Sequence, residues 1–245
     1  MTLKSNAQTD HKPGLAFPEL IQGTLVSRYK RFLADILLEN GETVTAHCPN
    51  SGAMTACCQP GRPVYVSYHD RPERKLKYTW ELIDMPGSLV GVNTLAPNRL
   101  IRKAITQGQI KAFTAYDTVT AEVRAGEHSR LDLMLTGETS GKCYIEIKNC
   151  TLVDKGTAMF PDAVTTRGRN HLLVLQELKK LGHRCAMIFL IQRMDARRFA
   201  PADHIDPAYG TALRAAVKSG VEIHVYDVSL DLNRIRLGRQ IPWEL

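Results

Sequence analysis

Three charged residues, Asp132, Glu146 and Lys148, have the types and the spacing that phosphodiester chemistry requires. Side chains alternate between the two faces of a β-strand, so Asp132 points away from the leucines on either side of it. Glu146 and Lys148 point away from Ile145 and Ile147 for the same reason. The sequence therefore predicts two neighbouring strands whose charged side chains share one face.

The loop between these strands sets their register. Residues 137–141 predict a hairpin, and a turn centred on Thr139 places Asp132 opposite Glu146, with Cβ atoms about 5 Å apart. Unpaired carboxylates at that separation repel each other, whereas Mg²⁺ or Mn²⁺ would bind both and activate a water. Lys148 would position that water, help to deprotonate it or screen the transition-state charge. We therefore expect a metal-dependent phosphodiesterase site.

Taken alone, these three residues are better explained by a solvated strand face, because Glu-x-Lys is common on exposed strands that carry surface ion pairs. The surroundings favour a site. A strand inside an α/β sheet usually has both faces covered, and charged residues there need a paired or functional explanation.

The remaining elements predict two domains. From Phe17 to about Asp84 the chain has four or five short β-like runs, with a hairpin signal at Asn40-Gly41. This pattern is typical of a small β-barrel, and it fits an OB-fold as well as an SH3-like barrel. The second half follows the order αβββαβαβ, which predicts an α/β domain with a mixed central sheet. We place the barrel in residues 1–88 and the α/β domain in residues 89–245.

Composition narrows the class of protein. Lys and Arg exceed Asp and Glu by 32 to 25, a net charge of +7, which raises the expectation of a polyanionic partner. No apolar run is long enough to cross a membrane, and the first twenty residues form a polar lead-in without a secretory signal. We therefore expect a cytoplasmic protein with no membrane partner. Its six cysteines lack zinc-finger spacing and are expected to be reduced thiols.

The acidic motif also resembles a known nuclease core. Asp132, thirteen residues and Glu146-Ile147-Lys148, in an αβββαβ order, look like the PD-(D/E)xK core of restriction-endonuclease-like proteins. On this resemblance Asp132 is the first acid, Glu146 the second and Lys148 the lysine of the motif. Leu131 stands where the motif often has proline, which is a departure that the superfamily commonly shows.

Several further blocks resemble the sugar fermentation stimulation protein family, and they cover nearly the whole chain from about residue 20. These blocks are SRYKRFLADI (27–36), HCPNSGAM (47–54), TWEL (79–82), NTLAPNRL (93–100), SRLDLML (129–135), YIEIKNCTL (144–152) and FPDAVTTRGRNHL (160–172). The resemblance implies an N-terminal OB-fold, a PD-(D/E)xK domain and DNA binding with little sequence preference. It also implies a link to sugar metabolism, including maltose, in bacteria.

Three residues are candidates to support the site. Glu122, on the preceding strand, would add a further carboxylate for the metal, or face solvent as a lone strand glutamate does more often. Arg167 and His171 lie one helical turn apart and would hold the scissile phosphate. In the same segment Pro161 and Asp162 are expected in the first turn of the helix, where an acid favours the helix dipole. The alternative to a phosphate-binding role is a helix cap and a partly buried, satisfied histidine.

Basic residues near aromatic ones predict the DNA contacts, on single or double strands. The candidates are Arg28, Lys30, Arg31, Arg71, Arg74, Lys75, Lys77 and Arg99. Tyr29, Phe32 and Trp80 would form a stacking platform, or belong to the barrel core, which is the expected place of Phe32 and Trp80.

Three functions remain open from sequence. The first is a DNA-binding protein with a Mg²⁺- or Mn²⁺-dependent nuclease site. The second is a DNA-binding regulator of sugar metabolism that keeps the nuclease fold without cleaving. The third is a hydrolase for a smaller phosphorylated ligand. Neither turnover nor the oligomeric state can be derived from residue types.

Overall fold

The computed structural model describes residues 14–126 and 129–245. The first half of the described chain contains β1 (Gly14–Ala16), β2 (Leu20–Tyr29), β3 (Leu33–Leu38), β4 (Thr43–His47), β5 (Pro63–Tyr68), β6 (Tyr78–Met85) and β7 (Ser88–Gly91). The rest of the polar lead-in, residues 1–13, and His128, with which the motif-bearing strand was expected to begin, lie outside the described residues.

The second half begins with a helix and alternates helices with strands. Its elements are α1 (Ala96–Thr106), β8 (Thr118–Arg124), β9 (Arg130–Gly137), β10 (Gly141–Cys150), β11 (Leu152–Asp154), β12 (Thr157–Phe160), α2 (Thr166–Lys180), β13 (Arg184–Ile191), β14 (Arg198–Pro201), α3 (Pro207–Lys218), β15 (Glu222–Leu230) and β16 (Arg234–Gln240). The expected αβββαβαβ order is present, with short strands added around it. No helix of the described chain is long and apolar enough to span a membrane.

Five strands of the first half close into a barrel of the OB type. The order is β4-β3-β2-β5-β6, and parallel pairing of β4 with β6 closes it. Alternate residues of each strand fill its interior, among them Ile36, Val66 and Trp80, which are fully buried. Closure leaves the barrel without free strand edges between these five strands. Of the two barrel types expected, the chain adopts the OB-fold.

One barrel turn was not signalled by turn residues. The chain reverses between β2 and β3 at Lys30 and Arg31, which have φ angles of 48° and 65°. Glycine and asparagine are the residues that usually occupy this left-handed region. The hairpin signal at Asn40-Gly41 does mark a turn, between β3 and β4.

The second half is built on a seven-stranded mixed sheet with the order β1-β16-β15-β13-β10-β9-β8. Helix α1 packs on one face, with Leu100 and Ile101 in a core that includes Ile145 and Ile147. Helices α2 and α3 cover the other face. Both faces of β10 are therefore covered, which is the condition that made charged residues on this strand informative.

The N-terminal segment does not stay with the barrel. Strand β1, within the segment expected to be a lead-in to the first domain, pairs antiparallel with β16 and completes the edge of the large sheet. Leu15 packs against the core beneath α1. The boundary expected between residues 88 and 89 falls inside β7, which pairs with β6.

Side-chain and backbone contacts join the two halves. Gly91 N donates to Gln192 O at 2.8 Å, and Leu82 of the barrel lies in the core of the large sheet. Buried Arg193 donates to Thr151 O at 3.0 Å and to Ala56 O in the barrel at 3.3 Å. These contacts hold the end of the barrel against the strand that carries the acidic motif.

All six cysteines are free thiols, as expected.

Candidate active site at the domain junction

The β9–β10 hairpin has the register that the sequence predicted. Pairing runs from Gly137 opposite Gly141 to Leu133 opposite Ile145, so Asp132 and Glu146 follow as the next facing positions. At that point Asp132 Oδ2 accepts a hydrogen bond from Ile147 N at 2.7 Å. The side chain of Asp132 thus replaces a backbone group where the two strands separate.

Asp132, Glu146 and Lys148 line one cavity of about 420 Å³ between the two halves of the chain. Asn98, near the start of α1, donates to Asp132 Oδ1 at 2.7 Å. Burial raises the pKa of Asp132, and the negative charge of Glu146 raises it further, to about 6. The hydrogen bond from Ile147 N–H and the positive charge of Lys148 act in the opposite direction and lower it. The carboxylate is held in place in a setting that disfavours its negative charge.

Glu146 is 2 % exposed and is held on one side only. Its Oε1 accepts from Lys148 Nζ at 2.5 Å and lies against Nδ1 of His171. Burial raises the pKa of Glu146, but the hydrogen bond from His171 and the charge of Lys148 outweigh burial, so its pKa is lowered overall. Glu146 Oε2 is buried and has no hydrogen-bond partner among the residues described.

These observations fit a divalent cation. A buried carboxylate oxygen without a donor, beside a second carboxylate whose charge is disfavoured, is the environment that a cation stabilises. Within the described chain no group of three or more His, Cys, Asp or Glu side chains could hold a metal. The protein would therefore provide two carboxylates, and water and phosphate oxygens would complete the shell, as is usual for Mg²⁺.

The opposite wall of the cavity comes from the barrel and from the loop before α2. Asn50, Ser51 and Gly52 line it, and Asp162 Oδ2 accepts from Met54 N at 3.1 Å. A Cβ atom at Gly52 would lie 2.5 Å from Asp162 Oδ2, so only glycine allows this approach. The cavity exists because the two halves meet there.

The expected place of Pro161 and Asp162 in the first turn of a helix is corrected. Pro161 and Asp162 precede the helix, which begins at Thr166 and is capped by Thr165 Oγ1 accepting from Gly168 N at 3.0 Å. Proline and an acid suit a first helical turn by local preference, but here the tertiary contact with the barrel uses them in the loop. Arg167 and His171, on the first turns of α2, both line the cavity.

Glu122 lies apart from the acidic pair. Its side chain is 62 % exposed and faces Arg130 at 3.6 Å across the edge of the sheet. It lines a neighbouring cavity of about 460 Å³ together with Arg130, Arg167 and His171.

Glu122 has a φ of 55°, and this irregularity accompanies a change in packing: Leu131 joins the core under α2 rather than that of Leu133. Strand alternation predicts that Leu131 and Leu133 face the same core, and this prediction is wrong at Leu131.

The expected DNA contacts fall into three groups. Lys30 and Arg31 are exposed at the β2–β3 turn, whereas Arg28 turns its guanidinium to backbone carbonyls of the cavity loop. Arg71, Arg74 and Arg99 line a third cavity of about 450 Å³.

The third group consists of two exposed lysines. Lys75 is exposed, and Lys77 pairs with Asp70 at 2.8 Å. Trp80 is fully buried, as expected, but Phe32 is 48 % exposed, which corrects its expected place in the core.

Sequence reasoning about single residues missed Asn98, Asn50 and Asp162. Nothing in their local spacing predicts a site, because folding brings Asn98 to Asp132, Asp162 to Met54, and the loop that contains Asn50 to the cavity. Their one signal was membership of the blocks NTLAPNRL, HCPNSGAM and FPDAVTTRGRNHL that carried the family resemblance.

Comparisons with known proteins agree with this architecture. The model of the sugar fermentation stimulation protein RE domain matches residues 95–234, and that of the SfsA N-terminal OB domain matches residues 26–92. A sugar fermentation stimulation protein homolog of Geobacter sulfurreducens is 50 % identical over 223 residues, 91 % of this chain and 95 % of the relative. A homolog of Geotalea uraniireducens is 53 % identical over 207 residues, 84 % of this chain and 89 % of the relative.

A solved structure has the same fold. Pyrococcus furiosus SfsA in complex with Ca²⁺ superimposes with a TM-score of 0.87 at 23 % identity, covering 94 % of this chain and 98 % of the other. With both domain models matched in order and close relatives matched almost end to end, this chain belongs to the sugar fermentation stimulation protein family.

Proposed function

We propose that this protein binds DNA with little sequence preference and hydrolyses phosphodiester bonds in the cavity at the domain junction. The observation that carries the proposal is buried Glu146 in one cavity with half-buried Asp132 and Lys148, with one Glu146 oxygen lacking a hydrogen-bond donor among the described residues.

Asp132 and Glu146 would hold Mg²⁺ or Mn²⁺. When bound, such a cation lowers the pKa of a coordinated water and stabilises charge on a phosphoryl oxygen. A solved relative, Pyrococcus furiosus SfsA, contains Ca²⁺, which shares the preference of Mg²⁺ for oxygen ligands. Glu122, which the sequence suggested as a further metal ligand, is not part of the proposed ligand set, because its exposed side chain faces Arg130.

The other side chains of the cavity would orient the reacting groups. Lys148 Nζ, 2.5 Å from Glu146 Oε1, would supply a positive charge where negative charge develops in phosphodiester hydrolysis. His171 Nδ1 contacts the same oxygen and lies 3.3 Å from Lys148 Nζ. Arg167 and the N-terminal end of α2 would bind the phosphate, because the free N–H groups of a helix terminus favour anions.

Basic residues on both sides of the cavity would guide the strand. Lys30 and Arg31 are exposed next to the barrel loop that forms one wall. Arg71, Arg74 and Arg99 line the separate cavity of about 450 Å³, which lies on the other side of the contact between Thr94 Oγ1 and Pro49 O. Contacts of this kind go to phosphates rather than base edges, so they bind without reading sequence.

A second candidate is a DNA-binding regulator that keeps this fold without cleaving. It is favoured by the contacts of Glu146, since Lys148 and His171 already occupy one oxygen of one of the two carboxylates proposed to hold the cation. Under this alternative the buried charges are balanced within the protein and serve the structure.

The test combines cleavage with metal binding. Supercoiled, linear and single-stranded DNA are incubated with Mg²⁺ or Mn²⁺ and wild-type protein, Asp132→Asn or Asp117→Asn, and metal binding is measured by calorimetry. Asp117 is an exposed carboxylate just before β8 and serves as the matched control. We expect cleavage and metal binding by wild type and Asp117→Asn, and loss of both in Asp132→Asn. Wild-type protein that binds DNA but neither cleaves it nor binds metal would establish the regulator instead.

A further inference from the structure

The tip of the β2–β3 hairpin exposes an aromatic side chain where the strand pattern predicts a buried one. Ala34, Ile36 and Leu38 of β3 point into the barrel and are buried. Phe32 continues this inward series by two residues, yet 48 % of it is exposed because the hairpin extends beyond the end of the barrel. The ring of Phe32 is therefore an exposed apolar surface that is available to a ligand, and it is not part of the barrel core.

The two residues before Phe32 are exposed cations in an uncommon backbone conformation. Lys30 and Arg31 have φ angles of 48° and 65°, where side chains other than Gly, Asn and Asp are disfavoured. Such a turn is formed more easily by Asn-Gly. Lys30 and Arg31 nevertheless occupy this turn and are exposed, so their side chains are available for contacts outside the fold.

Arg28 fastens this tip to the wall of the candidate active site. Its Nη2 donates to Arg31 O, Asn50 O and Gly52 O, each at 2.9 Å, and Nη1 lies 3.5 Å from Ala53 O. Asn50 and Gly52 line the cavity that contains the acidic pair. A strand bound in that cavity would therefore pass close to the hairpin tip.

The chemistry of the tip selects one kind of ligand. An exposed ring beside two cations offers a stacking face for a base and partners for the adjoining phosphates. Bases in a duplex already stack on their neighbours, whereas an unpaired base has a free face. We propose that Phe32 stacks on an unpaired nucleobase of the strand whose backbone lies in the junction cavity, so that the preferred substrate is DNA with a single-stranded segment. This inference rests on the proposed function for the identity of the strand.

Its test measures binding without cleavage. Affinities for a single-stranded oligonucleotide and for the matching duplex are measured in the absence of divalent metal for wild type, Phe32→Ala, Phe32→Leu, Phe32→Trp and Leu37→Ala. Leu37 is an equally exposed apolar residue of β3, at 42 %, and is the matched control. A single 2-aminopurine, moved along the oligonucleotide, reports by its fluorescence which base meets the ring.

We expect Phe32→Ala and Phe32→Leu to weaken single-strand binding by about 5-fold to 150-fold, the loss of one base–aromatic stack. Phe32→Trp should restore it, and Leu37→Ala and duplex binding should change less than about twofold. The 2-aminopurine signal should depend on residue 32 at one position. Equal losses on single strand and duplex, or full affinity in Phe32→Leu, would overturn the stacking role. Wild-type protein with no affinity for either DNA would instead contradict the proposed function itself, and unchanged melting temperatures exclude misfolding as the cause.

Discussion

The junction cavity and the hairpin tip differ in how their charged groups are held. In the cavity, both Asp132 oxygens accept a hydrogen bond at 2.7 Å, and Glu146 is 2 % exposed. At the tip, Lys30 and Arg31 extend into solvent on a short turn. One region fixes its side chains before any ligand arrives, and the other leaves them free to follow a ligand.

This difference matches what each region is proposed to do. Stabilising charge at one atom requires groups that need no rearrangement, in surroundings with little water. Phosphates along a flexible strand vary in position, and contacts with them derive much of their free energy from released counterions, which does not depend on exact geometry. We therefore expect substitutions in the cavity to alter chemistry, and substitutions at the basic surface to alter affinity and its salt dependence.

The largest effect should come from the acidic pair. Glu146→Gln, like Asp132→Asn, should reduce any cleavage by a factor of about 10³ or more, because the cation loses an anionic ligand. The double variant should be little worse than either single one, since both residues act on one site. Single-turnover cleavage checks this, and metal-free DNA binding should persist or strengthen as a repulsive charge is removed. Losses that multiply in the double variant would show that the two residues work independently.

A smaller effect is expected from the residue that holds Asp132. Asn98→Ala removes the donor to Asp132 Oδ1 and should lower metal affinity or cleavage by about 10-fold to 100-fold. Thr106→Ala, at an exposed position of the same helix, is the control. Calorimetry with Mn²⁺ and cleavage at saturating DNA give the two readouts. Should Asn98→Ala weaken DNA binding while cleavage at saturation is unchanged, the division between the two regions would not hold.

At the basic surface the effect should appear in the salt dependence. Reversing the charges of Arg74 and Lys75 should flatten the log–log dependence of DNA affinity on salt by one or two units, at about −0.9 per phosphate on duplex. Cleavage at saturating DNA should remain. The control reverses Lys142 and Lys218, exposed cations that do not line the junction cavity. A slope that stays the same would remove this cluster from the DNA path.

The smallest effect should come from an ion pair that lies outside both the junction cavity and the basic surface. Arg184 binds both oxygens of Glu222 at 2.7 and 2.8 Å, and this hydrogen bonding, joined by His224, lowers the pKa of Glu222 to about 2. The Arg184–Glu222 ion pair makes its whole contribution to the free energy of unfolding above about pH 4.5, the pKa of an unperturbed glutamate. This contribution is lost as the pH falls towards 2.

Glu222→Gln should therefore cost about 1 kcal/mol at neutral pH, discounted because the carboxylate is partly exposed, and almost nothing near pH 2. Thermal unfolding across this range measures the difference. Glu177→Gln, which breaks an exposed pair with Lys180, should leave the melting temperature unchanged. DNA binding should be unaffected in both variants, and an effect there would extend the binding surface to this edge of the sheet.

The sequence by itself determined the elements and the register of the acidic hairpin. Alternation along β9 and β10, with a turn centred on Thr139, was enough to place Asp132 opposite Glu146. Such local patterns are predictable because strand periodicity and turn length depend on neighbours in the chain. The barrel was predictable for the same reason, although the turn at Lys30 and Arg31 carries no residue that marks it.

Only the tertiary structure decided what surrounds the acidic pair. Asn98, Asp162 and the loop at Asn50 reach the cavity from distant parts of the chain, and β1 crosses from the barrel side to the large sheet. Phe32 was expected in the barrel core, but where a barrel ends depends on how the strands close. Contacts between residues far apart in sequence are fixed by packing of whole elements, and a pattern along one strand contains no information about elements that lie far from it in sequence.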